Sequence, residues 1–442
     1  MSGPDPQMLA EKVDSLMRSG VVPGVAVGVV DADGARTFGF GTTNVEHPLP
    51  VDADTVFEIA SITKTMTATV AARIAAEGRL DLDAPVRRYL PDFRVADAGV
   101  SERVTVRDLF THTAGWFGEY LPPTGHGADA IAQGVAAMAG LEQVSPAGIF
   151  SYNNVSLTLA GHIIEVIEGL PYEQVMREQL FEPLGMTRTF FRAEDVLYDR
   201  LAAGHTVRDG RAVPVRSRFS EGSGGAPAGG VRSTVRDLLR YAQAHLGGGA
   251  APVIPASVLA AMREPRVATG PAGYVGLSWF LEDRNGVQIA THGGATVAHM
   301  SQLALIPARG AALTILTNGA NGARLCADLT EWLLVEWLGL PGRPRPAPLD
   351  PQPDLRAYAG SYWAPLSDIT LAVEDGGLVL RVAWKGAVAE RPTPPPVRLL
   401  FAGPDLVVAT VGDPPAAADF IRGPDGAVAY LRWGGRARRK VA

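Results

Sequence analysis

Strand-forming segments lie at both ends of the first 340 residues, and helix-forming segments fill the stretch between them. Near the N-terminus, the apolar run Val25–Val30 is followed by the turn signal Asp33-Gly34 and a returning strand, Arg36–Phe40. One antiparallel sheet built from both ends, with terminal helices on one face and the helical insertion as a second lobe, is the simplest α+β fold with this order. The later strands are Gly276–Leu281 and Val287–Ala290 around Asn285-Gly286, and Ser301–Ile306 and Ala312–Thr317 around Arg309-Gly310.

The helical segments carry recognisable start and stop signals. Gly78 ends a helix that starts at Ser61, and Ser233 is placed to cap the helix near Val235–Leu246. The other predicted helices are Pro6–Arg18, Val106–Phe110, Asp129–Met138, Val155–Glu168, Tyr172–Leu180 and Arg324–Leu338.

A proline-rich stretch, 341–353, separates this region from a C-terminal part of different composition. The pattern therefore predicts three parts: a domain over 1–340, a semi-rigid linker over 341–353, and a small all-β barrel over 354–442. The predicted barrel strands are Ile369–Val373, Leu378–Val382, Val397–Phe401, Leu406–Val411, Phe420–Arg422 and Ala427–Trp433.

Charge and cysteine content narrow the possible partners. The net charge of −6 argues against nucleic acid or an anionic membrane as the main partner. Cys326 is the single cysteine, and no His-x-x-x-His spacing occurs, so neither a metal site nor a cofactor is expected. The N-terminal residues lack a charged start followed by an apolar run, and no stretch has the length of a membrane span, so we expect a cytoplasmic protein.

Lysine is rare in this chain, which makes one lysine informative. Arginine supplies positive charge almost everywhere, yet Lys64 follows Ser61 by three residues at a helix start. Arginine cannot release its proton in a protein, whereas a buried lysine can. Ser-x-x-Lys on one helix face therefore indicates a serine nucleophile with an amine base, although a capping serine beside a solvated lysine gives the same pattern.

Two further segments offer matching chemistry. The Tyr152 hydroxyl could share or pass on a proton near Lys64, and Asn154 could hydrogen-bond both the Lys64 amine and a substrate amide. Alternatively, Tyr152–Asn154 is a turn that leads into a helix.

His292-Gly293-Gly294-Ala295 follows a predicted strand, and its glycines would let a substrate carbonyl approach the backbone. The Ala295 and Ser61 amides could form an oxyanion hole, and His292 could polarise a tyrosine hydroxyl. An ordinary loop histidine beside two glycines is the alternative. Among the aromatic residues Trp116, Phe117 and Tyr120, Trp116 is the candidate wall of an acyl-binding site, with core packing equally compatible.

The order and separation of these three motifs resemble those of the serine β-lactamase and penicillin-recognising hydrolase superfamily. The chain is similar to its class C-like branch, which includes esterases and D-amino-acid peptidases, over roughly residues 10–338. The resemblance implies acyl transfer through a covalent ester on Ser61, with Lys64 and Tyr152 as the base and acid pair and Asn154 as the orienting residue. Supporting stretches are Phe57–Ala60, Gly78–Asp83, Thr111–Gly115, Glu182–Met186 and Ala228–Thr234.

One motif departs from the penicillin-binding pattern. Such members usually carry Lys-Thr-Gly or Lys-Ser-Gly where this chain has His292-Gly293-Gly294, which offers neither a permanent cation nor a hydroxyl. The departure favours esterase- or aminopeptidase-like activity on small esters or amides, with D-residue-containing peptides as one option, over β-lactamase activity.

The segment Tyr358–Tyr362 resembles the opening of lipocalin-like domains attached to some of these hydrolases. Similar two-part proteins include cyclases that release nonribosomal peptides from a carrier, so a carrier-bound peptide is an alternative substrate. A sensor that is acylated without turnover is a further alternative. The barrel could cover the active-site mouth, hold subunits together or stabilise the chain.

Overall fold

The structure, a computed structural model, describes residues 3–119, 123–192, 194–216, 223–248, 254–270, 273–412 and 415–441. The helices are α1 (Pro6–Gly20), α2 (Thr63–Ala76), α3 (Ala98–Arg103), α4 (Val106–Thr111), α5 (Ala130–Ala136), α6 (Val155–Glu168), α7 (Tyr172–Met176), α8 (Ala226–Gly229), α9 (Val235–His245), α10 (Ala256–Ala261) and α11 (Gly322–Trp332). The strands are β1 (Gly24–Asp31), β2 (Gly34–Gly41), β3 (Phe57–Glu58), β4 (His205–Arg208), β5 (Arg211–Pro214), β6 (Arg232–Ser233), β7 (Val267–Gly270), β8 (Gly273–Val275), β9 (Phe280–Arg284), β10 (Val287–Ala295), β11 (Met300–Ile306), β12 (Ala311–Thr317), β13 (Gly360–Ala364), β14 (Ser367–Glu374), β15 (Gly377–Trp384), β16 (Val397–Gly403), β17 (Leu406–Gly412), β18 (Pro415–Arg422), β19 (Val428–Trp433) and β20 (Arg436–Lys440).

The two ends of the first region meet in one sheet, as predicted. Its strand order is β2-β1-β12-β11-β10-β9-β8-β7, and all its neighbouring strands run antiparallel. The central pairing joins β1 to β12, with Val25 opposite Thr317. This closure brings residues almost 300 positions apart side by side, so the sheet core depends on both ends of the region.

Helices cover both faces of this sheet. Helices α1 and α11 pack on one face, where Leu9 and Val13 share a core with Leu325 and Leu329. On the other face, α2 is surrounded by the larger core and is buried on nearly all sides. Its threonine hydroxyls donate to carbonyls one turn earlier, so this polar helix leaves few donors unsatisfied in the interior.

One predicted helix cap is wrong by a single residue. Thr234, not Ser233, caps α9, because its hydroxyl accepts the hydrogen bond from the Asp237 amide at 3.1 Å. Ser233 belongs instead to β6, which pairs with β3, and its hydroxyl is hydrogen-bonded to the hydroxyl of Thr189. The short strand pairing therefore moves the start of the helix. Gly78 does adopt the expected left-handed conformation after α2.

The C-terminal part is a closed barrel of eight strands, β13 to β20. The six predicted strands are present, and β13 and β20 pair with each other to close the barrel. The barrel interior is filled with side chains such as Tyr362, Leu378 and Leu399. Residues 341–353, between sheet and barrel, have no regular secondary structure. None of the described helices combines the length and apolarity needed to cross a membrane.

Candidate active site

Ser61 lies in a short 3-10 turn, Ala60–Ile62, immediately before α2. Ala60 has a φ of 46°, in the left-handed region that residues other than glycine seldom adopt. The turn is tied to the sheet, because the Ser301 hydroxyl on β11 donates to the Ile59 carbonyl at 2.9 Å. A strained backbone held by the sheet thus presents the Ser61 hydroxyl at the junction between the two lobes.

Lys64, one helical turn later, is fully buried, with 0% of its side chain exposed. Its Nζ lies 2.9 Å from Ser61 Oγ and donates to the Ala228 carbonyl at 2.6 Å. No carboxylate of the described chain pairs with it. Burial, and then the nearby charge of Arg436, hold the pKa of Lys64 well below its usual value. A neutral amine at this distance can accept the proton of the serine hydroxyl.

Tyr152 completes this cluster. Lys64 Nζ lies 5.2 Å from the centroid of its ring. Burial raises the pKa of Tyr152 to about 12, and a hydrogen bond with Ser61 and the charge of Arg436 partly oppose that rise. The phenol therefore keeps its proton at neutral pH, which suits it to donate a proton rather than to act as the base.

The predicted hydrogen bond between Asn154 and Lys64 is not formed. The carbonyl of Ala228, on the short helix α8, takes that place, and a backbone acceptor of this kind has no side-chain signature in the sequence. The neighbouring Asn153 points inward instead, and its side-chain amide donates to the Trp116 carbonyl at 2.9 Å. Asn154 is half-buried at the start of α6.

Trp116 is not a wall of the site. Its side chain is 1% exposed, belongs to the main core and packs against Phe93 with ring centroids 5.9 Å apart. The alternative interpretation, a core residue, is therefore confirmed, and Trp116 is not among the residues that line the cavity described below. Tyr120, from the same aromatic cluster, lies outside the described residues.

His292 reaches Tyr152 by ring packing rather than by a hydrogen bond. Its Nδ1 lies 2.7 Å from the Gly293 carbonyl, which fixes the ring, while its buried Nε2 has no hydrogen-bond partner among the described residues. The His292 and Tyr152 ring centroids are 6.2 Å apart. Burial, followed by repulsion from Lys64 when that amine is protonated, lowers the pKa of His292 to about 3, so the imidazole is neutral. Within the described ranges, no three or more His, Cys, Asp and Glu side chains form a group that could hold a metal ion.

The glycines after His292 bring the end of β10 against the Ser61 turn. A Cβ on Gly294 would lie under 3.0 Å from both the Ile59 carbonyl oxygen and Ser301 Oγ, so the position requires glycine. Gly293 lines the cavity, and Ala295 is exposed at the end of β10. An oxyanion hole formed by the Ala295 amide stays a prediction.

The barrel contributes to the site through the turn between β19 and β20. The Tyr152 amide donates to the Gly435 carbonyl at 2.9 Å, and the guanidinium carbon of Arg436 lies 5.1 Å from the Tyr152 ring centroid. Sequence reasoning missed both residues, although the pair Gly434-Gly435 signals a tight turn. The turn lines a cavity of about 400 Å³ together with Phe150, Tyr152, Thr269, Phe280, His292, Gly293 and Arg436.

A model of the β-lactamase family matches residues 9–335, and the chain belongs to this family of serine hydrolases. Penicillin-binding protein 4 of Amycolatopsis lactamdurans is 34% identical over 378 residues, which are 80% of this chain and 96% of that protein. The unguisins hydrolase ungD' of Aspergillus campestris is 26% identical over 75% of this chain and 65% of its own length. The solved structure of SurE is 27% identical, with a TM-score of 0.78 over 98% of this chain and 99% of that one. SurE with D-Leu superimposes with a TM-score of 0.75.

Proposed function

We propose that this protein is a serine hydrolase that forms an acyl ester on Ser61 and acts on small esters or amides. The observation that carries the proposal is the contact between Ser61 Oγ and a fully buried lysine amine, at 2.9 Å and with no carboxylate partner among the described residues. Such an amine is a base of the kind that a serine nucleophile needs.

In the proposed acylation, Ser61 gives its proton to the neutral Lys64 amine while its oxygen attacks the substrate carbonyl. Tyr152 donates its proton to the leaving oxygen or nitrogen as that bond breaks, and the Lys64 ammonium returns a proton to the phenol. Water then attacks the ester by the reverse route, which releases the acid and restores Ser61. Atoms and charges balance in both steps.

The names of the relatives support a peptide-like substrate. One relative is named for penicillin binding and another for hydrolysis of unguisins, and SurE has been solved with D-Leu. We therefore infer that peptides with a D-residue at the scissile bond belong to the substrate class. The likeness to SurE supports this inference because it extends through both the sheet region and the barrel.

Ser61→Ala is expected to abolish labelling by a fluorophosphonate probe and to lower hydrolysis of a nitrophenyl ester by about a thousandfold or more. Ser19→Ala serves as the matched control, because it removes a serine hydroxyl from the exposed end of α1. This variant is expected to keep both the labelling and the ester hydrolysis. Undiminished labelling of the Ser61→Ala protein contradicts the proposal. Single labelling without repeated turnover of the ester would identify an acylated sensor instead.

A second candidate function keeps the acyl-enzyme but replaces water by an amine. The cavity beside the site favours this function, because Phe150, Tyr152 and Phe280 line it with aromatic side chains. Such a surface binds water weakly, so an amine of the substrate competes better with water for the acyl ester. The substrate would be a thioester-activated or carrier-bound peptide, and the product would be a cyclic peptide.

Mass spectrometry on a peptidyl thioester with a D-residue at its activated end separates the two functions. A cyclic product favours the amine acceptor, and only linear acid favours the hydrolase. Nitrocefin, tested alongside, reports whether the protein also opens β-lactams.

A further inference from the structure

His112 is a buried residue that the proposed acylation does not use, although it contacts the segment that carries Tyr152. It follows α4 directly, and its φ of 58° lies in the left-handed region that few residues other than glycine adopt. Its backbone amide donates to the Asp108 carbonyl inside α4. The residue is fully buried, so its imidazole is held among protein groups and not in solvent.

Two hydrogen bonds to His112 flank Tyr152. The His112 carbonyl accepts from the Ser151 amide at 2.9 Å, and its Nδ1 accepts from the Asn153 amide at 3.2 Å. Between these two bonds, the imidazole packs against the phenol with ring centroids 4.6 Å apart and an interplanar angle of 43°. His112 therefore holds the backbone on both sides of Tyr152 as well as one side of its ring.

The hydrogen bond to Nδ1 requires a particular form of the imidazole. A ring nitrogen that accepts a hydrogen bond carries no proton, so a neutral His112 has its proton on Nε2. Burial, and then repulsion from Lys64 when that amine is protonated, hold the pKa of His112 well below its usual value, which favours the neutral ring. Among the described residues, none accepts a hydrogen bond from the buried Nε2. The bond from the Asn153 amide is thus the one that the described chain gives this imidazole.

We propose that His112 is a positioning residue that holds the Tyr152 phenol where it can protonate the leaving group. The inference rests on the proposed acyl transfer at Ser61, in which Tyr152 supplies that proton. Without the acceptor, the segment around Tyr152 is free to shift, and a displacement of about 1 Å in a reacting group can cost about 100-fold. The loss falls on substrates whose leaving group needs a proton, whereas a residue that only stabilises the fold affects all substrates alike.

The test compares the ethyl and 4-nitrophenyl esters of N-acetyl-D-alanine. Nitrophenolate leaves without a proton, whereas ethoxide must be protonated as its bond breaks. The quantity measured is the ratio of kcat/KM for the ethyl ester to kcat/KM for the nitrophenyl ester. Because kcat/KM covers the steps up to departure of the leaving group, hydrolysis of the shared acyl-enzyme does not enter the ratio.

Two variants of His112 separate the acceptor from the backbone conformation. His112→Gly keeps the left-handed backbone but removes the acceptor, and we expect it to lower the ester ratio by about 30-fold or more. His112→Asn is expected to keep the ratio within about threefold, because asparagine tolerates the same backbone and its Oδ1 can accept from the Asn153 amide. His47→Gly, at an exposed histidine, is the matched control and leaves the ratio unchanged.

A double variant shows whether His112 acts through Tyr152. In the Tyr152→Phe background no phenol remains to be positioned, so His112→Gly is expected to change kcat/KM for the ethyl ester by less than about twofold. The full effect of His112→Gly in that background would overturn the proposal. An unchanged ester ratio in the single variant would do the same, as would a wild-type protein that cleaves the nitrophenyl ester but not the ethyl ester.

A measurement on the wild-type protein decides the matter even if His112→Gly does not fold. Nitrogen-15 NMR distinguishes the two neutral tautomers of histidine, and the spectrum of His112→Asn assigns the His112 signals. At neutral pH we expect the proton on Nε2 alone. A proton on Nδ1 would overturn the proposal, because that nitrogen could then not accept from the Asn153 amide. Failure of the acyl transfer itself shows separately, as a wild-type protein that the fluorophosphonate does not label at Ser61.

Discussion

Replacement of Lys64 by arginine is expected to lower kcat for nitrophenyl ester hydrolysis by about a thousandfold, although the positive charge is kept. Arginine cannot release its proton, so the serine hydroxyl loses its base, and a positioned general base contributes about 10²- to 10⁴-fold. The measurement is kcat for purified wild-type and variant proteins under identical conditions. Retention of a tenth or more of the wild-type rate would show that Lys64 acts as a charge and not as a base.

Lys64→Met separates the loss of the base from any loss of stability. Methionine has a similar length and no ionisable group, and the site is fully buried. We expect the same loss of activity but a melting temperature at least equal to that of the wild type, because no amine has to be buried. Lys64→Arg forces a permanent charge into the same space and is expected to melt earlier.

Gly294→Ala is expected to reduce ester hydrolysis by about a hundredfold and to lower stability by about 1–3 kcal/mol. The added methyl group meets the Ile59 carbonyl, so it pushes β10 away from the Ser61 turn. Because a 1 Å displacement of a reacting group can cost about 100-fold, a small shift of this turn is enough.

The neighbouring glycine gives a matched comparison for stability. At Gly293 a Cβ would have its closest contact, at 3.1 Å, with the movable end of the Gln302 side chain. We expect Gly293→Ala to keep the wild-type melting temperature within experimental error. Equal melting temperatures for both alanine variants would show that the contact between β10 and the Ser61 turn does not constrain the backbone.

Local patterns predicted the two hairpins of the sheet but not all of its strands. Of the predicted strand Gly276–Leu281, only Phe280 and Leu281 lie in a strand, β9, and β7 and β8 were not predicted. Asn285-Gly286 and Arg309-Gly310 are turn-forming pairs that lie between strand-forming segments, and a hairpin forms at each of them. By contrast, β20 reads Arg-Ala-Arg-Arg-Lys, which lacks the apolar residues that mark a strand. It forms because β13 and β19 offer open edges on both sides, and that is a property of the closed barrel rather than of the segment.

In the site, too, some contacts follow from local sequence and others only from the packing of distant segments. Ser61 and Lys64 share a helix face, so three positions of sequence suffice to predict their contact. Arg436 contacts Tyr152 only because the barrel packs against the helical lobe, and no spacing along the chain encodes that contact. The Lys64 partner was likewise misassigned to Asn154, since the acceptor is a backbone carbonyl at Ala228 that any residue could supply.

The central claim, an uncharged lysine amine beside Ser61, is open to direct measurement. With lysine labelled by carbon-13 at Cε, the four lysines of the chain give four resonances, and the spectrum of Lys64→Met assigns one of them to Lys64. We predict that this resonance titrates well below the usual lysine pKa of about 10.4. Hydrolysis of the nitrophenyl ester is predicted to rise with pH through the same titration, because only the free amine accepts the serine proton. A Lys64 resonance that titrates at about 10.4 or above would contradict the account.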